Sequence, residues 1–121
     1  MAATPAAGNR PRTFVIAGFG YTGVRVGARL EALGTVVGLT RKVRAPEFAA
    51  PYDVIYLVPP PAQGLTDPRL ERFLDALPAT PGRVVYLSTS GVYGDAGGAS
   101  VTEDTPPAPS TDRARRRLAA E

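Results

Sequence analysis

Thr13-Phe14-Val15-Ile16-Ala17-Gly18-Phe19-Gly20-Tyr21-Thr22-Gly23 lies near the start of a 121-residue chain and constrains everything after it. Residues 13–17 are an apolar run of strand length, residues 24–33 read as a helix, and Gly34 stands where that helix would stop. Between strand and helix lies G-x-G-x-x-G, in the setting where that pattern describes a dinucleotide-binding turn. Gly18 permits the tight turn. Gly20 lets the main chain approach a diphosphate with no side chain between, and Gly23 lets the helix lie close to the strand. Gly27, one turn on, extends that close approach. The helix start offers N–H groups and a partial positive charge to phosphate. The candidate cradle is therefore Gly18, Phe19, Gly20, Tyr21, Thr22 and Gly23. A glycine-rich turn without a ligand would use the same residues.

Residues 35–39 read as a second strand, ending in Thr40-Arg41-Lys42-Val43-Arg44. In dinucleotide folds this strand end meets the adenosine ribose. An acid there bonds the 2′-hydroxyl of NAD, whereas an arginine accommodates the 2′-phosphate of NADP. Residues 35–45 contain no acid. Thr40 and Arg41 are the candidate ribose and phosphate contacts, with Lys42 and Arg44 in reach, so NADP is expected over NAD. The alternative is a solvated basic loop. Only about eight residues then precede the next apolar run, too few for a normal crossover helix and strand. The expectation is a loop or a single helical turn, and a sheet without its usual edge strand.

Residues 53–58, Asp-Val-Ile-Tyr-Leu-Val, suit a parallel strand buried on both faces. Three prolines stop it, and Val58 and Pro59 are candidate cofactor contacts at its end. Asp67 and Pro68 mark a helix start, as N-cap and first helical residue, and Leu70, Phe73, Leu74 and Leu77 give the helix an apolar face before Pro78. Residues 83–88 read as another buried strand, running into Thr89-Ser90-Gly91-Val92-Tyr93-Gly94. Hydroxyl groups gather there at a strand's carboxyl end, which is where open α/β sheets carry chemistry, although Ser, Thr and Gly also make ordinary turns. Asp95, Glu103 and Asp104 lack regular metal-ligand spacing. Ser110 or Thr111 caps a final helix, residues 112–121, which has no Gly or Pro exit signal.

Composition narrows the function classes. There is no Cys and no His, so disulfides, thiol catalysis, His-based triads and the usual zinc sites are excluded. No run approaches the roughly 20 apolar residues of a membrane span. Residues 1–12 are Ala/Pro-rich and read as a disordered leader, with residues 13–121 as the domain. The net charge of +3 is modest, and Arg113, Arg115, Arg116 and Arg117 do not all share one helix face. Nucleic acid is therefore not the expected partner, and a cytoplasmic protein with a small-molecule substrate is.

Three blocks together resemble the short-chain dehydrogenase/reductase superfamily, in its extended and atypical branch with nucleotide-sugar epimerases and dehydratases. They are residues 18–23, the Leu87-Ser88-Thr89-Ser90-Gly91-Val92-Tyr93-Gly94-Asp95 block, and Val101-Thr102-Glu103-Asp104-Thr105-Pro106-Pro107. The glycine motif alone is unspecific; the Ser-Thr-Ser-Gly-Val-Tyr-Gly block is much more so. The resemblance covers the N-terminal half of a typical member. It implies an α/β fold: a Rossmann-type doubly wound parallel sheet, incomplete, with about four strands and flanking helices. It also implies Ser88 beside the cofactor and Thr89 bonding the substrate's reacting oxygen, the substrate being of nucleotide-sugar type. The family's Tyr-x-x-x-Lys pair falls on the final helix, where this sequence holds Arg113 and Arg117. Arg stays charged to a pH above ~12 and does not donate a proton near neutrality. Two readings follow: an NADP-binding oxidoreductase or epimerase-like protein, in which Thr89 and Arg113 are the candidate catalytic groups, or a non-catalytic or truncated nucleotide-binding module. An incomplete sheet would expose its last strand and favour a homodimer.

Overall fold

In this computed structural model the described residues are 12–41, 48 and 50–121. The expected leader, apart from Arg12, therefore lies outside them, as do Lys42, Val43, Arg44 and most of the short connection after them. The chain forms two compact units. One comprises Met1–Leu57 and Pro78–Val85, the other Val58–Leu77 and Tyr86–Glu121.

The first unit is built on strand β1 (Arg12–Ala17), helix α1 (Tyr21–Leu30), strand β2 (Gly34–Leu39) and strand β3 (Asp53–Tyr56). β1 pairs in parallel with β2 from Arg12↔Gly34 to Ala17↔Leu39, and with β3 from Phe14↔Asp53 to Ala17↔Tyr56. With strand β4 (Val84–Tyr86) the sheet order is β2-β1-β3-β4. The chain runs outward from β1 to β2, then returns to the other side, so the order reverses at β1. In a parallel α/β sheet that reversal opens a crevice at the carboxyl ends of the strands, next to the glycine turn.

β1 is central and reads Phe14-Val15-Ile16-Ala17, four consecutive buried residues, because parallel strands between neighbours are covered on both faces. Burying a Phe, Val or Ile side chain there stabilises by about 1.5–3 kcal/mol, and the Ala17 methyl by less. On β3, Val54 and Tyr56 are buried while Asp53 and Ile55 are half-buried. Tyr52 is buried too; its hydroxyl donates to the Ala79 carbonyl and accepts from the Ala79 N–H at 3.2 Å.

Several expected boundaries move. α1 starts at Tyr21, three residues before the expected helix, because Gly20 is already its N-cap and accepts the first helical bond, from Val24 N–H at 2.9 Å. It ends at Leu30, and a tight turn with Leu33 N–H donating to Leu30 O closes it. Gly34 is thus not the helix stop. It opens β2, where a Cβ would strike the Arg12 carbonyl on the neighbouring strand. β3 stops at Tyr56, before Val58. β4 is the clearest correction: Val84 is 44% and Val85 57% exposed in a strand expected to be buried. Among the described residues β4 is an edge strand, so its side chains lack the flanking strand that β1 has on each side.

The second unit holds helix α2 (Pro68–Asp75), a short 3₁₀ helix (Ser90–Tyr93) and helix α3 (Asp112–Ala120). Both α-helices start where the sequence places them. Asp67 Oδ1 accepts from Leu70 N–H at 3.1 Å with Pro68 as first helical residue, and Thr111 Oγ1 accepts from Ala114 N–H at 3.1 Å. Leu70, Val92 and Ala114 are its buried apolar residues. Among the described residues no helix is long and apolar enough to cross a membrane.

Candidate functional site

The glycine turn is held by main-chain bonds that leave one part of it uncommitted. Gly18 adopts φ 90°, a left-handed conformation that favours glycine. Gly18 and Phe19 N–H both donate to Leu39 O, at 3.1 and 3.0 Å, which ties the turn to the end of β2, and Gly20 N–H donates to Gly18 O at 2.9 Å. Those three donors are spent on the main chain, two on β2 and one within the turn. The next three, on Tyr21, Thr22 and Gly23, form the first turn of α1, where an α-helix supplies no intrahelical acceptors. No side chain caps this end, and its first turn contains no acid.

The glycines divide their work as the motif predicts. A Cβ on Gly23 would come to 2.5 Å from Gly18 O and 3.3 Å from Ile16, so the helix and strand touch there. A Cβ on Gly27 would meet Phe19 at 3.0 Å and Val36 at 3.3 Å. A Cβ on Gly20 would meet nothing within 4 Å. Gly23 and Gly27 are therefore packing glycines, whereas Gly20, next in the chain before the uncommitted donors, faces open space. That is a cradle which a side chain would fill, and the donor set suits a phosphate.

Phe19 has a role that its place in the motif does not announce. Its ring lies over Gly38 of β2 and against Gly27 of α1, so its side chain seals helix to sheet. The sequence signal was Gly38, since a glycine within a strand often marks close approach by another group. Tyr21 is 77% exposed, and the Arg25 guanidinium stacks over its ring, 3.4 Å from the centroid, while Nη1 donates to Tyr21 O at 2.8 Å. Thr22, Thr40 and Arg41 are exposed, the last two directly after β2.

The remaining candidates belong to the second unit. Val58 is half-buried and Pro59 exposed, and the Pro59 carbonyl accepts from Arg69 at 3.2 Å. Thr89 is exposed and caps the 3₁₀ helix, its Oγ1 accepting from Gly91 N–H at 3.3 Å. Its own O–H is left to donate elsewhere. Gly94 closes that helix at φ 68°, where a Cβ would strike the Ala108 carbonyl. Ser88 Oγ donates to Glu121.

The arginine run of α3 splits into separate roles. Arg115 pairs with Asp112 at 2.9 Å on the surface. Arg116 is only 8% exposed and donates to Gly64 O at 2.9 Å. Arg117 reaches Leu87 O at 2.7 Å and the Tyr86 hydroxyl at 3.4 Å. Arg113 is exposed. The run is thus not one basic face. Burial pushes the Tyr86 phenol above its ordinary value; Arg117 pulls it back, and the Asp67 and Glu121 carboxylates push it further up. Tyr86, Arg116 and Glu121 were not evident from sequence, because three successive arginines carry no mark of which one turns inward.

No family model and no curated protein matches the chain. Among solved structures, a functionally unknown conserved protein from Silicibacter pomeroyi DSS is 27% identical, with a TM-score of 0.65 over 89% of this chain and 46% of that one. A Burkholderia cenocepacia J2315 protein, described as a "putative epimerase", is 22% identical, with a TM-score of 0.61 over 93% of this chain and 49% of its own. The chain spans about half the length of each. These likenesses show the fold: a four-stranded parallel α/β sheet with flanking helices, of the incomplete Rossmann kind.

Proposed function

We propose that this chain binds a dinucleotide on residues 18–23, NADP in preference to NAD, and serves as an oxidoreductase or nucleotide-sugar epimerase-like protein of the atypical short-chain dehydrogenase type. One observation carries the reading. The Cβ position of Gly20 opens onto free space, and Gly20 immediately precedes three helix-start N–H groups in the chain, while Gly23 and Gly27 are tightly packed. A turn with no ligand has no need of glycine at the one position where a side chain would fit. The preference for NADP rests on Arg41, exposed at the end of β2 in a stretch without acids.

When bound, a nicotinamide cofactor supplies hydride exchange. The chain's own contribution would be to bind and orient. Thr89 would donate its O–H to the substrate's reacting oxygen, since its acceptor side is engaged by Gly91 N–H. Arg113 would contribute charge rather than a proton. Val58, Pro59 and Ser88 are the further proposed cofactor contacts. The cysteine-free composition suits the reducing cytoplasm.

A second reading, a nucleotide-binding module without catalysis, is favoured by Arg117. It stands where the resemblance implies a catalytic Lys, yet its guanidinium is spent on Leu87 O and the Tyr86 hydroxyl. Two measurements separate the readings. NADPH fluorescence that does not respond to the protein at millimolar cofactor defeats both. Hydride transfer to a carbonyl or nucleotide-sugar substrate, abolished in Thr89→Val, selects the enzyme.

A further inference from the structure

Arg25 is a cation held in place without an acid. Its guanidinium is stacked on the Tyr21 ring and tied through Nη1 to Tyr21 O, and among the described residues it makes no ion pair with a carboxylate. Stacking occupies the face of a guanidinium and leaves the N–H groups not bonded to Tyr21 O available, which suits bonds to phosphate oxygens. Two fixed contacts also reduce the side-chain entropy that binding would otherwise cost. The position is specific. Tyr21 directly follows Gly20, and the Arg25 side chain folds back by one helical turn onto Tyr21. The motif glycines do not require an arginine at position 25, and α1 packs against the sheet through Gly23 and Gly27 rather than through this side chain.

We infer that Arg25, preorganised by Tyr21, is a further positioning residue for the diphosphate of the bound dinucleotide. This rests on the dinucleotide reading of the glycine turn. A contact to the diphosphate, which NADH and NADPH share, differs in consequence from one to the 2′-phosphate, which only NADPH carries.

The test is the dissociation constant for NADPH and for NADH, by cofactor fluorescence at two salt concentrations. The proteins are the wild type, Arg25→Met, Tyr21→Leu and Tyr21→Phe, each checked for an unchanged thermal melt. Arg25→Met is expected to weaken both cofactors alike, by about three- to tenfold, and to flatten the salt dependence. Tyr21→Leu, which removes the stacking surface, is expected to give a smaller loss, and Tyr21→Phe none. Equal binding and equal salt dependence in wild type and Arg25→Met would overturn the assignment. A loss confined to NADPH would overturn it too, by placing Arg25 on the 2′-phosphate. If the wild type binds neither cofactor, the dinucleotide reading itself fails, and this inference fails with it.

Discussion

Gly20 and Gly23 are three residues apart and answer to different constraints. At Gly23 a methyl group would collide with the Gly18 carbonyl at 2.5 Å, a main-chain atom that cannot swing away. Gly23→Ala is therefore expected to lower stability by about 1–3 kcal/mol in urea denaturation, as overpacking does. Gly20→Ala adds a methyl to open space at φ −99°, so the same experiment should find less than about 1 kcal/mol. Equal losses at both would show that the turn is only a packing device. Arg41 bears on cofactor choice alone: Arg41→Ala should narrow the difference between NADPH and NADH affinity without moving the melt, and an unchanged ratio would remove Arg41 from the ribose site. The tight turn at Gly18 and the close packing at Gly23 were legible in sequence because a glycine's steric effect is local. The seat of the Phe19 ring over Gly38 was not, since it depends on β2 lying beside β1.

Helix starts were likewise legible, because a cap and the N–H it accepts from lie within a few residues of each other. Asp67 is 3% exposed and its Oδ1 holds Leu70 N–H, so Asp67→Ala should cost about 1–2 kcal/mol, whereas an exposed cap such as Thr111 should cost less. Strand burial was only partly legible. Apolar runs at residues 53–58 and 83–88 look alike, yet β3 lies between two strands and β4 has only one beside it. That the arginines of α3 do not share one face was legible, but which of them turns inward was not, and Arg117 takes part in an electrostatic element. Arg117 binds the Tyr86 hydroxyl and Leu87 O, but burial prevails and raises the Tyr86 phenol. Below pH about 10 that phenol is protonated in both folded and unfolded chains and makes no difference to stability. As pH rises further the unfolded chain releases the proton first, so the folded state loses stability through the interval up to the raised value. Denaturation midpoints should fall above pH 10 and fall less in Tyr86→Phe; an identical decline in both would remove Tyr86 as the cause.

Across the whole molecule, the chain accounts for about half of each solved structure it resembles, and among the described residues the sheet ends at β4, where Val84 and Val85, and Leu87 just after it, are exposed. An edge strand with unpaired main-chain groups and bare apolar side chains is a template for association. Sedimentation velocity is expected to show species larger than one 12.7 kDa chain, decreasing on dilution, whereas a monomer at all concentrations with one cooperative thermal transition would contradict it. The parallel pairing of β1 with β2 follows from the βαβ reading of residues 13–39, but the extent of cover over β4 could not be read from a local pattern, because it depends on polypeptide far from that strand. The proposed function rests on the main chain around Gly20 receiving a diphosphate. The most direct test is a thermal-shift titration of wild type and Gly20→Val with NADPH, NADH and buffer alone. The melting temperature is expected to rise with NADPH more than with NADH in the wild type, and not to rise in a Gly20→Val protein that is still folded. An equal rise in both proteins, or none in the wild type, would contradict it.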